Sequence, residues 1–550
     1  MANNHFNYKT VYAFAREMHP KTEKFDVQYG TAGFRAKAST LGYVMYRMGL
    51  LAVLRARYKK GCVGVMITAS HNPEPDNGVK LIDPCGEMLE QSWELWATKF
   101  ANVADDELVD VIHEIVSKLD IEMTQRVEIL VGKDTRPSSP SLAKALCDGI
   151  LALSGKPIDY GIVTTPQLHY FVYCKNSKHE YGIPTEEGYY TKLSNAFKKL
   201  RGESFNNGNY FNKILFDGAN GVGAKKIKYF QECLGDSLKI EMYNDELIGT
   251  GKLNFMCGAD YVKVKQTFPN GVPQITEQRC CSVDGDADRL IYYYLDENKK
   301  CHLLDGDRIA ILIAEYLKEM VESTGLEVDL GLVQTAYANG ASTDYITQKL
   351  KVPVSFACTG IKYLHHEAQK FEIGVYFEAN GHGTIVFKKE FKEKLKLALE
   401  NTSLSNEQHG AIKKVLTIID LINETVGDAI SDMLLVETIL HSKGWSIQDW
   451  EKKYTDLPNR LMKVSVKDRT QITTTNSERT CIKPDGLQDE IDTIVARYKA
   501  GRSFVRPSGT EDLVRVYAEA ISQEEADQLS LEVALKVYDM ADGIGPKPSL

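Results

Sequence analysis

The chain has 550 residues, 43% hydrophobic and 26% charged, so it can bury several cores and is not a disordered tail. Its 66 Lys and Arg against 75 Asp and Glu give a net charge of -9, which argues against a nucleic-acid partner because phosphate backbones need a basic face. The first residues lack the pattern of a secretory signal and no apolar run approaches the roughly 20 residues that span a bilayer, so we expect a cytoplasmic protein with no membrane partner.

The pattern along the chain is an apolar strand, a polar loop and an amphipathic helix, repeated. Strands are predicted at 62–67, 127–131, 214–216, 280–283 and 373–377, and helices at 224–233, 308–320 and 411–422. Strands that alternate with helices indicate an α/β fold, in which ligands bind beyond the carboxyl ends of the strands. The 11 cysteines are scattered without a Cys-x-x-Cys pair, so we expect reduced thiols and no zinc site.

Polar stretches suggest where the chain divides into domains. They lie at 175–188, 296–300 and 441–459, and a further one at 401–409 is expected to be a surface loop. The domains predicted from these stretches are 1–180, 181–298, 299–445 and 446–550.

The first motif with chemical content is Thr68-Ala-Ser70-His-Asn-Pro73, directly after a predicted strand. A serine at a strand end can be held out in a fixed loop, where its hydroxyl becomes a nucleophile if a base, a metal or covalent activation assists it. A simple turn explains the same residues equally well. The absence of a Gly-x-Ser-x-Gly elbow disfavours an α/β-hydrolase.

The second motif is Asp284-Gly-Asp286-Ala-Asp288-Arg289, again after a strand. Three carboxylates this close repel one another unless a cation joins them, and Mg²⁺ prefers oxygen ligands of this kind. An EF-hand loop is excluded because Arg289 and Leu295 stand where that loop needs Gly and Glu. An aspartate nucleophile of the haloacid-dehalogenase type is a remaining alternative, although Asp288 stands where that class prefers Thr.

The third motif, Glu378-Ala-Asn380-Gly-His382-Gly383, follows the strand that ends at Phe377. A carboxylate, an amide and an imidazole in a Gly-flanked loop suit the hydroxyl groups of a sugar. A polar loop with a capping glutamate is the alternative.

The fourth motif runs from Arg506-Pro-Ser508-Gly-Thr510 to Arg515. Hydroxyls, a glycine and arginines together favour a phosphate cradle over a polar turn. The four motifs in one chain therefore indicate phosphoryl chemistry on a sugar.

These motifs, together with Tyr29-Gly-Thr-Ala-Gly-Phe-Arg35, resemble the α-D-phosphohexomutase superfamily over nearly the whole chain. The segment Gly132-Lys-Asp134-Thr-Arg136 follows the serine loop here, whereas it precedes that loop in most of the superfamily. This reversed order, and Glu-Ala-Asn in the third motif, resemble the branch that acts on N-acetylglucosamine phosphates.

The resemblance implies a fold of three related α/β domains with mixed sheets and a smaller C-terminal α+β domain around a central cleft. It implies an enzyme that interconverts N-acetylglucosamine 6-phosphate and N-acetylglucosamine 1-phosphate through a phosphoserine and a bisphosphorylated sugar, in UDP-N-acetylglucosamine biosynthesis. Glucose or mannose phosphates as substrates, and a non-catalytic sugar-phosphate-binding protein, remain alternatives. The expected partners are small sugar phosphates, and the oligomeric state is left open.

The resemblance also implies a role for each motif residue. Ser70 carries the phosphate and completes a Mg²⁺ shell with Asp284, Asp286 and Asp288. The sugar is bound by Glu378, Ala379 and Asn380, and its phosphate by Arg506, Pro507, Ser508, Gly509, Thr510 and Arg515. Arg35, Lys80 and His382 match active-site positions of the family. Their expected roles are proton transfer and charge balance, and the sequence does not assign either role to a particular one of them.

Overall fold

The computed structural model describes residues 8–22, 26–246, 249–508 and 512–550. The chain forms two compact units. The first comprises Met1–Asp305, Asn380–Thr384 and Lys413–Ile447, and the second Gly306–Ala379, Ile385–Ile412 and Gln448–Leu550. Within the described ranges, none of the helices has the length and apolar character that a membrane crossing requires.

The N-terminal segment of the first unit is a mixed five-stranded sheet with the strand order β1-β3-β2-β4-β5. Its strands are β1 (Phe34–Lys37), β2 (Val63–Ile67), β3 (Asp76–Ile82), β4 (Glu128–Lys133) and β5 (Lys156–Ile162). Strands β2, β4 and β5 run parallel, and β3 pairs antiparallel with β1 and β2. The accompanying helices are α1 (Lys9–Glu17), α2 (Gly42–Lys59), α3 (Gln91–Asn102), α4 (Leu108–Leu119), α5 (Ser139–Ala152) and α6 (Thr165–Asn176), with a 3₁₀ turn at Ala38–Thr40.

Helix α2 is the centre of this segment, since every residue from Tyr43 to Arg57 is buried. It packs closely on α5 because a glycine stands on each side of the contact. A Cβ at Gly49 would overlap the backbone of Leu146, and one at Gly149 would overlap the backbone of Tyr46. This all-round burial explains why α2 has no polar face.

The next segment of the first unit is a second mixed sheet, with the order β10-β9-β8-β6-β7. Its elements are α7 (Glu186–Arg201), β6 (Lys213–Asp217), α8 (Val222–Leu234), a 3₁₀ turn (Gly235–Ser237), β7 (Lys239–Tyr243), α9 (Ala259–Lys265), β8 (Cys280–Val283), β9 (Leu290–Leu295) and β10 (Cys301–Leu304). Strand β6 is parallel to β7 and β8, whereas β9 is antiparallel to β8 and β10.

The domain boundary predicted at 298 needs correction. It falls in the turn between β9 and β10, and all of β10 pairs with residues 292–295 of β9, so a division there would split a hairpin. A short polar turn has the same composition as a linker because both are solvated. We keep the four-domain division as a proposal and extend the second domain to Asp305, because the first continuous stretch of the first compact unit ends there.

The third segment contains a four-stranded sheet with the order β12-β11-β13-β14. Its elements are α10 (Gly306–Glu322), β11 (Leu330–Gln334), α11 (Gly340–Asp344), a π-helical turn (Tyr345–Leu350), β12 (Val354–Phe356), α12 (Ile361–Ala368), β13 (Ile373–Phe377), β14 (Gly383–Phe387), α13 (Lys389–Leu399), α14 (Asn406–Leu421), α15 (Ala429–Lys443) and α16 (Ile447–Glu451). Strand β11 is parallel to both β12 and β13. Helix α15 belongs to the first unit.

The C-terminal segment is α+β, with an antiparallel sheet of order β15-β19-β18 and a separate β16-β17 hairpin. Its elements are β15 (Asn459–Ser465), a 3₁₀ turn (Arg469–Gln471), β16 (Thr473–Thr475), β17 (Thr480–Lys483), α17 (Leu487–Val495), β18 (Arg502–Pro507), β19 (Leu513–Glu519) and α18 (Gln523–Met540). Its own core includes Val505, Val516 and Leu529.

The predicted strands and helices are all present, and the strands at 280–283 and 373–377 have the predicted ends. The loop predicted at 401–409 is shorter than expected because α14 already begins at Asn406. The polar stretch at 441–459 also contains the helix α16.

One buried histidine gives the fold a predictable response to acid. His169 on α6 is 1% exposed, and its Nδ1 lies 2.6 Å from the carbonyl oxygen of Gly86. Burial, opposed in part by this hydrogen bond, lowers the pKa of His169 to about 3, well below the ordinary value of about 6.5. The neutral form is therefore favoured by folding, so its stabilising effect is complete above pH 6.5 and is lost as the pH falls toward 3.

We expect His169→Asn, whose amide can keep the contact with Gly86, to make the stability less sensitive to acid. The free energy of unfolding should depend less steeply on pH between 6.5 and 3, by about 1.4 kcal/mol per pH unit. Urea unfolding at several pH values measures this slope, with exposed His366→Asn as the control. Equal slopes for wild type and His169→Asn would contradict the assignment.

Candidate active site

The serine loop begins where β2 ends, and its backbone is fixed by several donors. Ser70 is fully buried and has a left-handed φ of 53°, a conformation that costs a non-glycine residue of order 1 kcal/mol. Its N–H donates to Thr68 Oγ1 at 2.9 Å. Its carbonyl oxygen accepts from Asn254 Nδ2 at 2.9 Å and from Arg136 Nη2 at 3.2 Å. These bonds hold the serine in its strained conformation.

The same two side chains hold the loop at a second point. The carbonyl oxygen of Asn72 accepts from Arg136 Nη2 at 2.7 Å and from Asn254 Nδ2 at 3.1 Å. Arg136 is itself paired with Asp134. The segment 132–136, which the sequence marked only by its unusual order, therefore acts as a clamp on the serine loop. Asn254 was missed, because a lone asparagine in a loop carries no pattern.

The three aspartates converge beside the serine. One carboxylate oxygen from each of Asp284, Asp286 and Asp288 lies within 4.8 Å of the others, and all three side chains are buried. Ser70 Oγ donates to Asp284 Oδ2 at 2.6 Å. Burial, and then repulsion from Asp288 and Asp286, raise the pKa of Asp284 well above its usual range. The loops are also packed tightly, since a Cβ on Gly285 would lie 2.6 Å from the carbonyl oxygen of Ser70.

The donor set of this cluster fits Mg²⁺. Asp286 Oδ1 and Asp288 Oδ1 are buried and accept no hydrogen bond from any described residue, and a buried acceptor without a donor is costly unless a cation serves it. The ligands are carboxylate and hydroxyl oxygens, the type that Mg²⁺ selects. The sequence prediction of a cation at these aspartates therefore agrees with the geometry.

Lys80, predicted to lie near the active site, neutralises part of this charge. Its Nζ lies 3.2 Å from Asp286 Oδ2 and 3.1 Å from Asp288 Oδ2. Burial alone would lower the pKa of Lys80, but Asp286 and Asp288 more than offset that effect and raise it. Thr165 Oγ1, a residue the sequence did not single out, donates to the same Asp286 oxygen at 2.6 Å.

Arg35 on β1 lies beside the serine loop, and His71 is the loop residue that follows Ser70. Arg35 Nη1 lies 3.5 Å from Asn72 Oδ1, and burial, followed by the nearby charge of Arg289, lowers the pKa of Arg35. Burial and the charges of Arg289 and Arg35 lower the pKa of His71 to about 2, so its imidazole is neutral.

The third motif, residues 378–383, is the predicted sugar loop. It is divided between the two compact units after Ala379. In the first unit, Asn380 Oδ1 accepts from the N–H of His382 at 2.9 Å. His382 is buried. Burial alone would raise the pKa of Asp288, but Lys80 first, and then His382 and Arg289, lower it. In the second unit, Glu378 Oε1 accepts from the N–H of Gly360 at 3.0 Å, and Ala379 follows it in the turn after β13.

The predicted phosphate cradle lies on β18 and β19 of the second unit. Arg506 and Arg515 are directly opposite each other in this antiparallel pair, and like charges so placed repel unless an anion joins them. Arg515 Nε is buried without an acceptor among the described residues. Pro507 ends β18, and the N–H of Ser508 donates to the carbonyl oxygen of Leu513 at 2.8 Å. Gly509 and Thr510 lie outside the described residues.

Family models match most of the chain. Residues 180–291 and 305–445 match "Phosphoacetylglucosamine mutase AMG1", domains II and III. Residues 51–102 and 97–183 match domain I of "Phosphoglucomutase/phosphomannomutase", and residues 461–536 match its C-terminal domain. The expected four-domain α/β class is confirmed by these matches.

Individual relatives indicate the same family as the family models. The chain is 51% identical to the phosphoacetylglucosamine mutase of Homo sapiens and 46% identical to that of Candida albicans, over 96% and 94% of this chain and 97% of each relative. A solved structure of the Aspergillus fumigatus N-acetylphosphoglucosamine mutase superposes with a TM-score of 0.93 at 47% identity, over 97% of this chain and 99% of that one. Another structure of that enzyme, in complex with GlcNAc-6P and magnesium, has a TM-score of 0.92 over the same shares. With these matches the resemblance seen in the sequence is confirmed, and the chain belongs to the phosphoacetylglucosamine mutase family of the α-D-phosphohexomutase superfamily.

Proposed function

We propose that this enzyme interconverts N-acetylglucosamine 6-phosphate and N-acetylglucosamine 1-phosphate, with Ser70 as the phosphate carrier. One observation carries the proposal: Ser70 Oγ, buried and fixed, lies 2.6 Å from Asp284 within a cluster of three carboxylates. The family relationship supports the substrate, since a relative of this chain has been solved with GlcNAc-6P and magnesium.

In the first half-reaction a hydroxyl oxygen of the sugar attacks the phosphorus on Ser70. The new P–O bond forms as the bond to Ser70 Oγ breaks, and the product is a bisphosphorylated sugar. The reaction then runs in reverse with the other phosphate, which returns to Ser70 Oγ and leaves the isomerised monophosphate. Asp284, Asp286, Asp288 and Ser70 would hold Mg²⁺, which when bound neutralises the charge that develops during transfer.

The side chains around Ser70 provide charge balance and proton transfer. Lys80 and Arg35 are cations, so they balance the charge of the phosphoryl group. Of these three kinds of side chain, the imidazole is the one whose ordinary pKa lies near neutral pH. We therefore assign to His382 the proton that the sugar hydroxyl loses in one half-reaction and regains in the other.

The residues of the other two motifs bind the parts of the sugar phosphate that do not react. Arg506, Ser508 and Arg515 bind the phosphate that is not being transferred. Glu378 and Asn380 bind sugar hydroxyls in both orientations of the intermediate.

The proposal is tested by an isomerisation assay on the purified protein with Mg²⁺. We expect conversion of N-acetylglucosamine 6-phosphate with a higher kcat/KM than for glucose 6-phosphate or mannose 6-phosphate, and a phosphopeptide that contains Ser70. A preference for either hexose phosphate would contradict the substrate, and steady release of inorganic phosphate would indicate a hydrolase.

A further inference from the structure

The tip of the β16–β17 hairpin is held in an unusual backbone conformation. Asn476, Ser477 and Glu478 all have left-handed φ angles, of 53°, 55° and 67°. Such residues persist where surrounding contacts fix them, and they concentrate at functional sites. Here Ser477 Oγ donates to the carbonyl oxygen of Phe356 at 2.8 Å, and the Arg479 guanidinium lies 3.8 Å from the centre of the Phe356 ring.

These contacts present the Glu478 carboxylate to two different partners. Its Oε1 accepts from Arg506 Nε at 2.7 Å. Its Oε2 accepts from the N–H of Thr359 at 2.9 Å and from Thr359 Oγ1 at 2.6 Å. The Glu478 side chain is 14% exposed, so these are hydrogen bonds of a largely desolvated charge, which are stronger than those at a surface.

The contacts continue along the loop that carries Thr359. The next residue, Gly360, donates its N–H to Glu378 Oε1 at 3.0 Å. A connected series of polar contacts thus joins Arg506 of the phosphate cradle, through Glu478 and the 359–360 peptide, to Glu378 of the sugar loop. All of these residues belong to the second compact unit.

We propose that Glu478 is a positioning residue for substrate binding, which orients the Arg506 guanidinium and links it to the sugar loop. The inference rests on the proposed function of Arg506 and Glu378. With its Nε edge taken by Glu478, the guanidinium meets the substrate phosphate through its terminal nitrogens in one fixed orientation. A preoriented arginine loses less conformational freedom when it binds an anion.

The reaction predicts how this role shows in the kinetics. In each half-reaction the phosphate at Arg506 is the one that is not transferred. Its contacts are therefore equally strong in the ground state and in the transition state, and weakening them changes KM rather than kcat. A merely structural role of Glu478 would instead lower the melting temperature and the active fraction, and so reduce kcat at unchanged KM.

The variant Glu478→Gln tests this difference, since it keeps the size of the side chain but replaces one acceptor by a donor. We expect KM and the calorimetric Kd for N-acetylglucosamine 6-phosphate to rise about tenfold, the scale of one charged hydrogen bond. We expect kcat to stay within about twofold and the melting temperature to stay unchanged. The matched control is Asp527→Asn, which breaks another carboxylate–guanidinium pair of the second unit, with Arg460 at 2.6 and 2.7 Å; its KM should equal that of wild type.

A second variant tests the link to the sugar loop. Thr359→Val removes the hydroxyl donor and should raise KM about threefold. Because both substitutions interrupt the same connection, the double variant should be no worse than Glu478→Gln alone. Multiplied effects would overturn the link, and an unchanged KM with reduced kcat would overturn the positioning role.

Different results would contradict the proposed isomerase function and the proposed role of Glu478. If wild type binds N-acetylglucosamine 6-phosphate but does not isomerise it, the proposed function is wrong, and the Kd of Glu478→Gln still decides the role of Glu478. If wild type isomerises the sugar and Glu478→Gln has the wild-type KM and Kd, the function stands and the inference on Glu478 is wrong.

Discussion

Replacing Ser70 by alanine is expected to reduce mutase turnover by ~10⁴-fold or more, the scale of losing a covalent nucleophile. The variant should remain folded, because the three hydrogen bonds that fix Ser70 within the loop involve its backbone and not its hydroxyl. The rate of isomerisation of N-acetylglucosamine 6-phosphate measures the effect. Mass spectrometry should at the same time show that the phosphopeptide has disappeared.

The matched control for this substitution is Ser282→Ala. Ser282 is also fully buried, and its Oγ also donates to an aspartate, Asp217 Oδ2, at 2.6 Å. Removing that hydroxyl should cost about 1 kcal/mol of stability and leave turnover within about tenfold of wild type. Comparable turnover in the two variants would show that Ser70 is not the carrier.

Replacing Asp286 by asparagine is expected to remove most of the stabilisation by Mg²⁺ while keeping the fold. An amide can keep its oxygen toward Thr165 and Lys80 and place its NH₂ group at the position of Oδ1, which accepts no hydrogen bond from the described residues. At a concentration of Mg²⁺ about 100 times its Kd, wild type should gain about 2.7 kcal/mol of stability. The variant should gain far less, and its turnover should fall by ~10³-fold.

Denaturant unfolding with and without Mg²⁺ measures this difference. Asp245→Asn provides the control, because it removes the same charge from an exposed pair with Lys228. A full Mg²⁺ response in Asp286→Asn would place the cation elsewhere.

The parts of the site that the sequence predicts are those whose residues are close together along the chain. Ser70 follows β2 of the first sheet and the aspartates follow β8 of the second sheet, so each loop lies at the carboxyl end of a strand, where ligands bind in α/β sheets. Composition and strand position were therefore enough to mark these loops, and the family resemblance assigned their roles.

The supporting residues could not be predicted in the same way. Asn254 contacts the Ser70 carbonyl from 184 positions away, and Glu478 reaches Thr359 from 119 positions away. Each is a single polar side chain in a loop or a turn, with no local periodicity or spacing to set it apart. Their roles arise only from tertiary packing.

The tight contact of Gly285 with Ser70 has a consequence for how the enzyme must operate. Because the loop of Ser70 is fixed, the serine cannot move from one end of the sugar to the other. The bisphosphorylated sugar must therefore release its contacts and reverse its orientation between the two half-reactions. If the bisphosphorylated sugar dissociates during this reorientation, Ser70 is left without a phosphate. We therefore expect the activity to fall on extensive dilution and to return when the sugar bisphosphate is added.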